Sequence, residues 1–171
     1  MMDLTRHYFD LLGLPVDYSV DREKLSVNYR QLQQQFHPDR FVSAADQERR
    51  FSLQMASRIN EGNRVLRDPI ERAKYLLELQ GVEMGTDGET LRDPQFLLEQ
   101  MELRENLEEI QQDIEGLERF VEQIEQQIRQ QGERFSTQWQ ESPEQARTTV
   151  QQMQFFQRLI HQAELLLDEL I

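Results

Sequence analysis

Apolar residues recur along this chain at the three- and four-residue spacing of amphipathic helices, interrupted at a few points by proline and glycine. Leu25, Tyr29, Leu32 and Phe36 line one such face, and Phe51, Met55 and Ile59 line another downstream. Between them stand Phe36, His37, Pro38, Asp39 and Arg40. The Pro38 ring fixes its own φ and drives His37 out of the α region, so the first of these helices is expected to end near Phe36. His37, Pro38 and Asp39 then crown the bend of a helical hairpin. A polar triplet held at a loop tip by two helices is where function tends to sit.

The same reading extends to both ends. Thr5 is expected to cap a short helix carrying Tyr8, Phe9, Leu11 and Leu12, which Gly13 and Pro15 stop. A loop through Asp17 and Ser19 leads to a second helix over about residues 21–36. Ser43, with Asp46 three residues on, resembles the cap of a third helix running to about Leu66. Asp68, Pro69 and Glu71 mark a new start, with proline at the first helical position, and that helix is expected to close at Gly81. The pattern lapses from Val82 to Asp93, where Gly85, Gly88 and short polar residues predict a linker. Asp93 and Pro94 restart a helix, with apolar periodicity to about Ile114 and a possible break at Gly116. Leu117, Phe120, Val121, Ile124 and Ile128 continue the period, with Phe135 and Trp139 beyond Gly132. Ser142 and Pro143 open the last helix, which runs through Phe156, Leu159, Ile160, Ala163, Leu166 and Leu170. The expectation is an all-α chain: a helical unit over 1–81, a linker over 82–93, and a three-helix bundle over 94–171, since no helix of this kind can bury its stripe alone.

Composition agrees with helix and excludes several chemistries. Gly (7) and Pro (5) are scarce. Cysteine is absent, which removes disulfides and thiolate ligands for zinc, haem or an iron–sulfur cluster. His7, His37 and His161 are dispersed, so no metal site and no cofactor are expected. No signal-peptide pattern and no long apolar run opens the chain, which predicts a soluble cytoplasmic protein with no membrane partner. The net charge of −13 is uneven: residues 1–80 carry 12 Lys+Arg against 12 Asp+Glu, whereas residues 81–171 carry 7 against 20. Two halves of different electrostatic character suggest different partners, and the acidic half argues against nucleic acid.

His37 and Asp39 could be a general base and its orienting carboxylate, which would make the chain a small hydrolase. Against this, the two need not converge across a proline, and no nucleophile or phosphate-binding loop lies nearby in sequence. The bland alternative is a helix-ending turn in which Asp39 bonds its own backbone.

The surroundings of the triplet decide between these. Residues 7–40, HYFDLLGLPVDYSVDREKLSVNYRQLQQQFHPDR, together with RINEGNRVLRDPIERAKYL at 58–76, resemble the J domain of DnaJ-type co-chaperones: an aromatic-rich helix ending in LG, the YRQL turn, the HPD loop, and INE followed by VL, DP, R and Y. The acidic helical second half, opening with RDPQFLLEQMELRE at 92–105, narrows the resemblance to HscB-type co-chaperones of bacterial iron–sulfur cluster assembly. The resemblance implies a role without catalysis of its own, in which His37, Pro38 and Asp39 dock on an HscA-type heat-shock chaperone and stimulate its ATPase. Basic residues of the second helix assist in that family. Arg30 falls about 140° from Leu25 on the helical wheel and is expected to face solvent, and Arg40 and Lys24 are its companions. This helix lacks the family's usual run of lysines, with Gln31, Gln33, Gln34 and Gln35 in their place. Weaker electrostatic steering is expected in consequence.

A second surface follows from periodicity alone. At about 100° per residue, Phe96, Leu103, Leu107, Ile110 and Ile114 fall within an arc of about 60°, the expected core stripe. Leu97, Leu98 and Met101 then point outward beside Glu102, Glu105 and Glu109. Large apolar side chains on the far side of a bundle helix, rimmed by acid, predict protein docking, with packing against the other unit as the alternative. The resemblance implies that an IscU-like scaffold protein binds there. It also brings in Phe155, for which a core position is the alternative. A J-domain protein serving other clients remains the rival reading.

Overall fold

The computed structural model describes residues 4–85 and 93–171, and every regular element in them is helical. Four helices build the first part: α1 (Tyr8–Leu11), α2 (Arg22–Gln35), α3 (Asp46–Arg67) and α4 (Pro69–Leu79), with a single 3₁₀ turn, Pro38–Phe41, between α2 and α3. Three build the second: α5 (Pro94–Glu109), α6 (Ile114–Gln138) and α7 (Pro143–Leu170). Contacts divide the chain into Met1–Leu76 and Leu77–Ile171, so the division falls inside α4. Of the expected linker, residues 86–92 lie outside the described residues. Before them, Arg147 of α7 donates from Nε to the Glu83 carbonyl at 2.8 Å.

In the first unit Leu25 and Leu32 of α2, the closing residue Phe36, and Met55 and Ile59 of α3 are buried, as their spacing predicts. Phe36 meets Phe51 edge to face at 6.2 Å, at the end of the hairpin that carries the HPD loop. The α1 helix crosses α3 so closely that a Cβ on Gly62 would sit 3.0 Å from the Tyr8 ring. Tyr8 also stacks on Tyr75 at 4.7 Å and donates its backbone N–H to the Tyr75 hydroxyl. One arginine is consumed by this scaffold. Arg72 is buried, donates to the Leu66 carbonyl at 2.7 Å and lies 4.9 Å from the Tyr18 ring centre. Burial lowers its pKa and raises that of Tyr18.

In the second unit α6 and α7 pair along their lengths, burying Leu117, Phe120, Ile124, Phe156, Leu159 and Ala163. Helix α5 is held on this pair by Phe96, whose ring meets Phe155 and Phe156 edge to face at 5.6 and 5.9 Å. Trp139 and Phe135 are buried where α6 gives way to α7. There the buried Thr149 donates its hydroxyl to Gln138 Oε1 at 2.6 Å.

Several expected helix ends move. The cap of α1 is His7, whose Nδ1 accepts from Asp10 N–H, and not Thr5. Helix α3 begins after Ala45 with no side-chain cap, because the 3₁₀ turn and the residues after it carry the chain past Ser43. Asp68 and Asp93 do cap α4 and α5 through their carboxylates. The largest correction lies at the end of α5. The helix stops at Glu109, with Ile110 closing it, and α6 opens at Ile114. The break therefore precedes Gly116, which sits in the first turn of α6, where an added Cβ would meet the Asp113 side chain. Ile114 consequently leaves the α5 stripe and is 39% exposed. Phe96 and Leu107 are buried as expected, and Leu103 and Ile110 pack partly against the same core.

Candidate functional site

The HPD loop is built by its own backbone chemistry. Phe36 closes α2 by donating its N–H to the Leu32 carbonyl, and His37 then turns to an extended conformation (φ −61°, ψ 132°), as its proline neighbour demands. Pro38 opens the 3₁₀ turn, where its fixed φ suits a first helical position. The His37 imidazole caps that turn: Nδ1 accepts the Asp39 N–H at 3.2 Å, and the His37 carbonyl accepts the Arg40 N–H at 3.0 Å. A nitrogen that accepts an amide hydrogen carries no proton. The 3.6 Å approach of Asp39 Oδ2 to the same Nδ1 is therefore not an ion pair in that state. This leaves the Asp39 side chain 87% exposed and the His37 side chain 58% exposed. The triplet thus presents a carboxylate, an imidazole edge and a proline ring to solvent, each set by the turn beneath.

Arg30 is exposed on α2 and lines an open cleft beside the loop together with Gln33, His37, Arg40 and Asn60. Lys24, also exposed, belongs to the first turn of α2, about 18 Å along the helix axis from Phe36, so the structure does not bring it to the tip. Arg40 is exposed, but its guanidinium is turned back and donates to the Gln34 carbonyl at 3.2 Å. The cleft also holds a network that periodicity does not reveal. Periodicity alone puts Tyr29 on the core face; in the fold its hydroxyl donates to Asn60 Oδ1 at 2.8 Å and accepts from Gln33 Nε2 at 2.7 Å. Asn60 is the asparagine of the INE motif, and that motif was the available signal.

On α5 the outward face carries Leu97, Leu98 and Met101 at 37%, 57% and 59% exposure, and Glu102, Glu105 and Glu109 are exposed beside them. The last turn of this helix holds no basic residue, so its carboxylates add to the negative end of the helix dipole. Phe155 is only 2% exposed, packed against Phe96 and Phe156. It belongs to the core under α5 and not to the outer face, because Phe96 brings α5 down over it. The Arg104 guanidinium lies 5.5 Å from the Phe155 ring centre, a cation that the sequence reading did not single out.

Among the described residues no cluster of His, Asp or Glu is placed to hold a metal ion, and no helix is long and apolar enough to cross a membrane.

Comparison with known proteins supports each half separately and the two together. Residues 7–75 match the DnaJ domain family, and residues 92–164 match the HscB C-terminal oligomerisation domain family. Curated relatives from Vibrio cholerae and Vibrio vulnificus, each a co-chaperone protein HscB homologue, are 48% identical over 104 residues. That match covers 61% of this chain and 61% of each relative's length. The structure of the chaperone HscB from Vibrio cholerae superposes with a TM-score of 0.84 at 35% identity, covering 97% of this chain and 100% of that one. The crystal structure of the human co-chaperone protein HscB gives a TM-score of 0.88 at 28% identity over 96% of this chain and 83% of that one. With both halves matched in order, and with a relative more than 30% identical along its whole length, the chain belongs to the HscB family of J-domain co-chaperones.

Proposed function

We propose that this protein couples two partners without catalysing a reaction itself. The HPD tip engages the ATPase unit of an HscA-type heat-shock chaperone and stimulates hydrolysis, while the outer face of α5 holds an IscU-like scaffold on which iron–sulfur clusters are assembled. Hydrolysis then traps the scaffold on the chaperone. Tethering both partners to one chain raises their effective concentration, so delivery needs no new chemistry. The protein acts in the cytoplasm and promotes maturation of iron–sulfur proteins.

The observation that carries this reading is the orientation of α5. Phe96 and Leu107 are buried on its inward face with Leu103 packed partly beside them, and yet Leu98 and Met101 remain more than half exposed on the outward face. Leu97, Leu98 and Met101 supply the apolar centre of a docking patch, and Glu102, Glu105 and Glu109 its polar rim. At the tip, Asp39 presents a carboxylate suited to a cationic partner group, with His37 and Pro38 shaping the contact and Arg30 flanking it. Lys24 contributes long-range attraction only.

The test is a steady-state ATPase assay of an HscA-type chaperone with this protein, with an IscU-like scaffold, and with both. Stimulation by the protein alone and greater stimulation by the pair are expected. A basal rate under all conditions sinks the proposal. Stimulation without any effect of the scaffold, with capture of an unrelated client, favours a J-domain protein with other clients.

A further inference from the structure

The proline of the HPD triplet creates a defect in α2 that one particular side chain repairs. In an α-helix the carbonyl of residue 34 accepts from the N–H of residue 38, and residue 38 here is proline, which has none. The Gln34 carbonyl, at the negative end of α2, instead accepts from the Arg40 guanidinium at 3.2 Å. Arg40 stands two residues beyond Pro38, and its own N–H is already committed to the His37 carbonyl at 3.0 Å. Arg40 therefore bonds both sides of the triplet: its backbone closes the 3₁₀ turn and its side chain ties that turn to the end of α2. A cation at a helix C-terminus is favoured by the helix dipole as well, so charge and hydrogen bonding act together.

We infer that Arg40 is a positioning residue of the HPD tip, standing in for the N–H that Pro38 lacks, and not a residue that contacts the chaperone. This inference rests on the co-chaperone reading only for its functional consequence, because the clamp itself belongs to the isolated protein. A guanidinium turned back onto its own backbone presents less of its donor fork to an acidic partner. What Arg40 supplies is the orientation of His37 and Asp39, and preorganised groups bind with less loss of conformational freedom.

The experiment uses the full-length protein in two readouts. In the protein alone, Arg40→Ala should raise amide hydrogen exchange at Asp39 and at position 40 by about fivefold, the loss of one ordinary hydrogen bond. Arg40→Lys, which keeps a donor, should stay within about twofold of the native protein. In the Pro38→Ala background, where residue 38 regains an N–H for the Gln34 carbonyl, the effect of Arg40→Ala on exchange should largely vanish. With the chaperone, Arg40→Ala should raise the concentration giving half-maximal ATPase stimulation, Arg40→Lys should restore it, and the salt dependence of that concentration should match the native protein's. Unchanged exchange in Arg40→Ala, or an undiminished effect in the Pro38→Ala background, overturns the clamp. A shallower salt dependence in Arg40→Ala, which reports a lost contact with an acidic partner, overturns the positioning role. Should the native protein leave the chaperone at its basal rate, the co-chaperone reading fails while the exchange data still decide the clamp.

Discussion

The two surfaces of this protein are made in opposite ways. The HPD tip is polar and lies on an irregular segment of a few residues, whose turn is held by three hydrogen bonds: the Asp39 amide to His37, the Arg40 amide to the His37 carbonyl, and the Arg40 side chain to Gln34. The α5 face is apolar and lies on an ordinary helix. Nothing special holds Leu98 or Met101 in place; they are outward because Phe96 and Leu107 are inward. A site of the first kind should fail when one atom is changed. A site of the second kind should lose affinity in proportion to the area removed.

The largest effect should come from breaking the support of the second site while sparing the first. Phe156→Ala, in the core of α5, α6 and α7, should cost about 3–5 kcal/mol and lower the melting transition of the second unit. Scaffold binding should go with it, while ATPase stimulation by the HPD loop without scaffold persists. Loss of both activities together would show that the units do not act separately. Next, Asp39→Asn removes one charge and almost no volume. It should cost about 3 kcal/mol of chaperone engagement, measured as the concentration for half-maximal stimulation, with scaffold affinity unchanged. At the other site, Leu98→Ala with Met101→Ala should weaken scaffold binding by about 2–4 kcal/mol in a titration and leave scaffold-free stimulation at the native level. Each single variant should give roughly half the loss, and a wholly non-additive result would contradict the area-like character of this face. The smallest effect should come from the acidic rim. Glu105→Gln with Glu109→Gln should change scaffold affinity by less than about 1 kcal/mol, yet flatten its dependence on salt.

Most of the architecture could be read without the fold, because helix start signals here are chemical and local. Asp before proline at 68–69 and 93–94 caps α4 and α5 as their residue types require. Where serine or threonine alone predicts the cap, at Thr5 and Ser43, competition from neighbouring residues shifts the ends: His7 takes the cap of α1, and the 3₁₀ turn delays α3 to Asp46. The end of α5 departs from the apolar period for a different reason. Ile114 continues the apolar period of α5 in sequence, and a repeat that runs through a break looks the same as one that does not.

What the sequence determined by itself was the set of faces: one polar triplet in a proline bend, one apolar stripe per helix, and three apolar residues left over on α5. These follow from spacing and from the stereochemistry of proline, which are properties of the covalent chain. Only the tertiary structure decided which residues act and which support. It buried Phe155 beneath α5, joined Tyr29 to Asn60 across two helices, and turned Arg40 from the solvent onto the Gln34 carbonyl. Those outcomes depend on which surfaces meet and on where an unsatisfied carbonyl falls, and a periodic pattern carries no record of either.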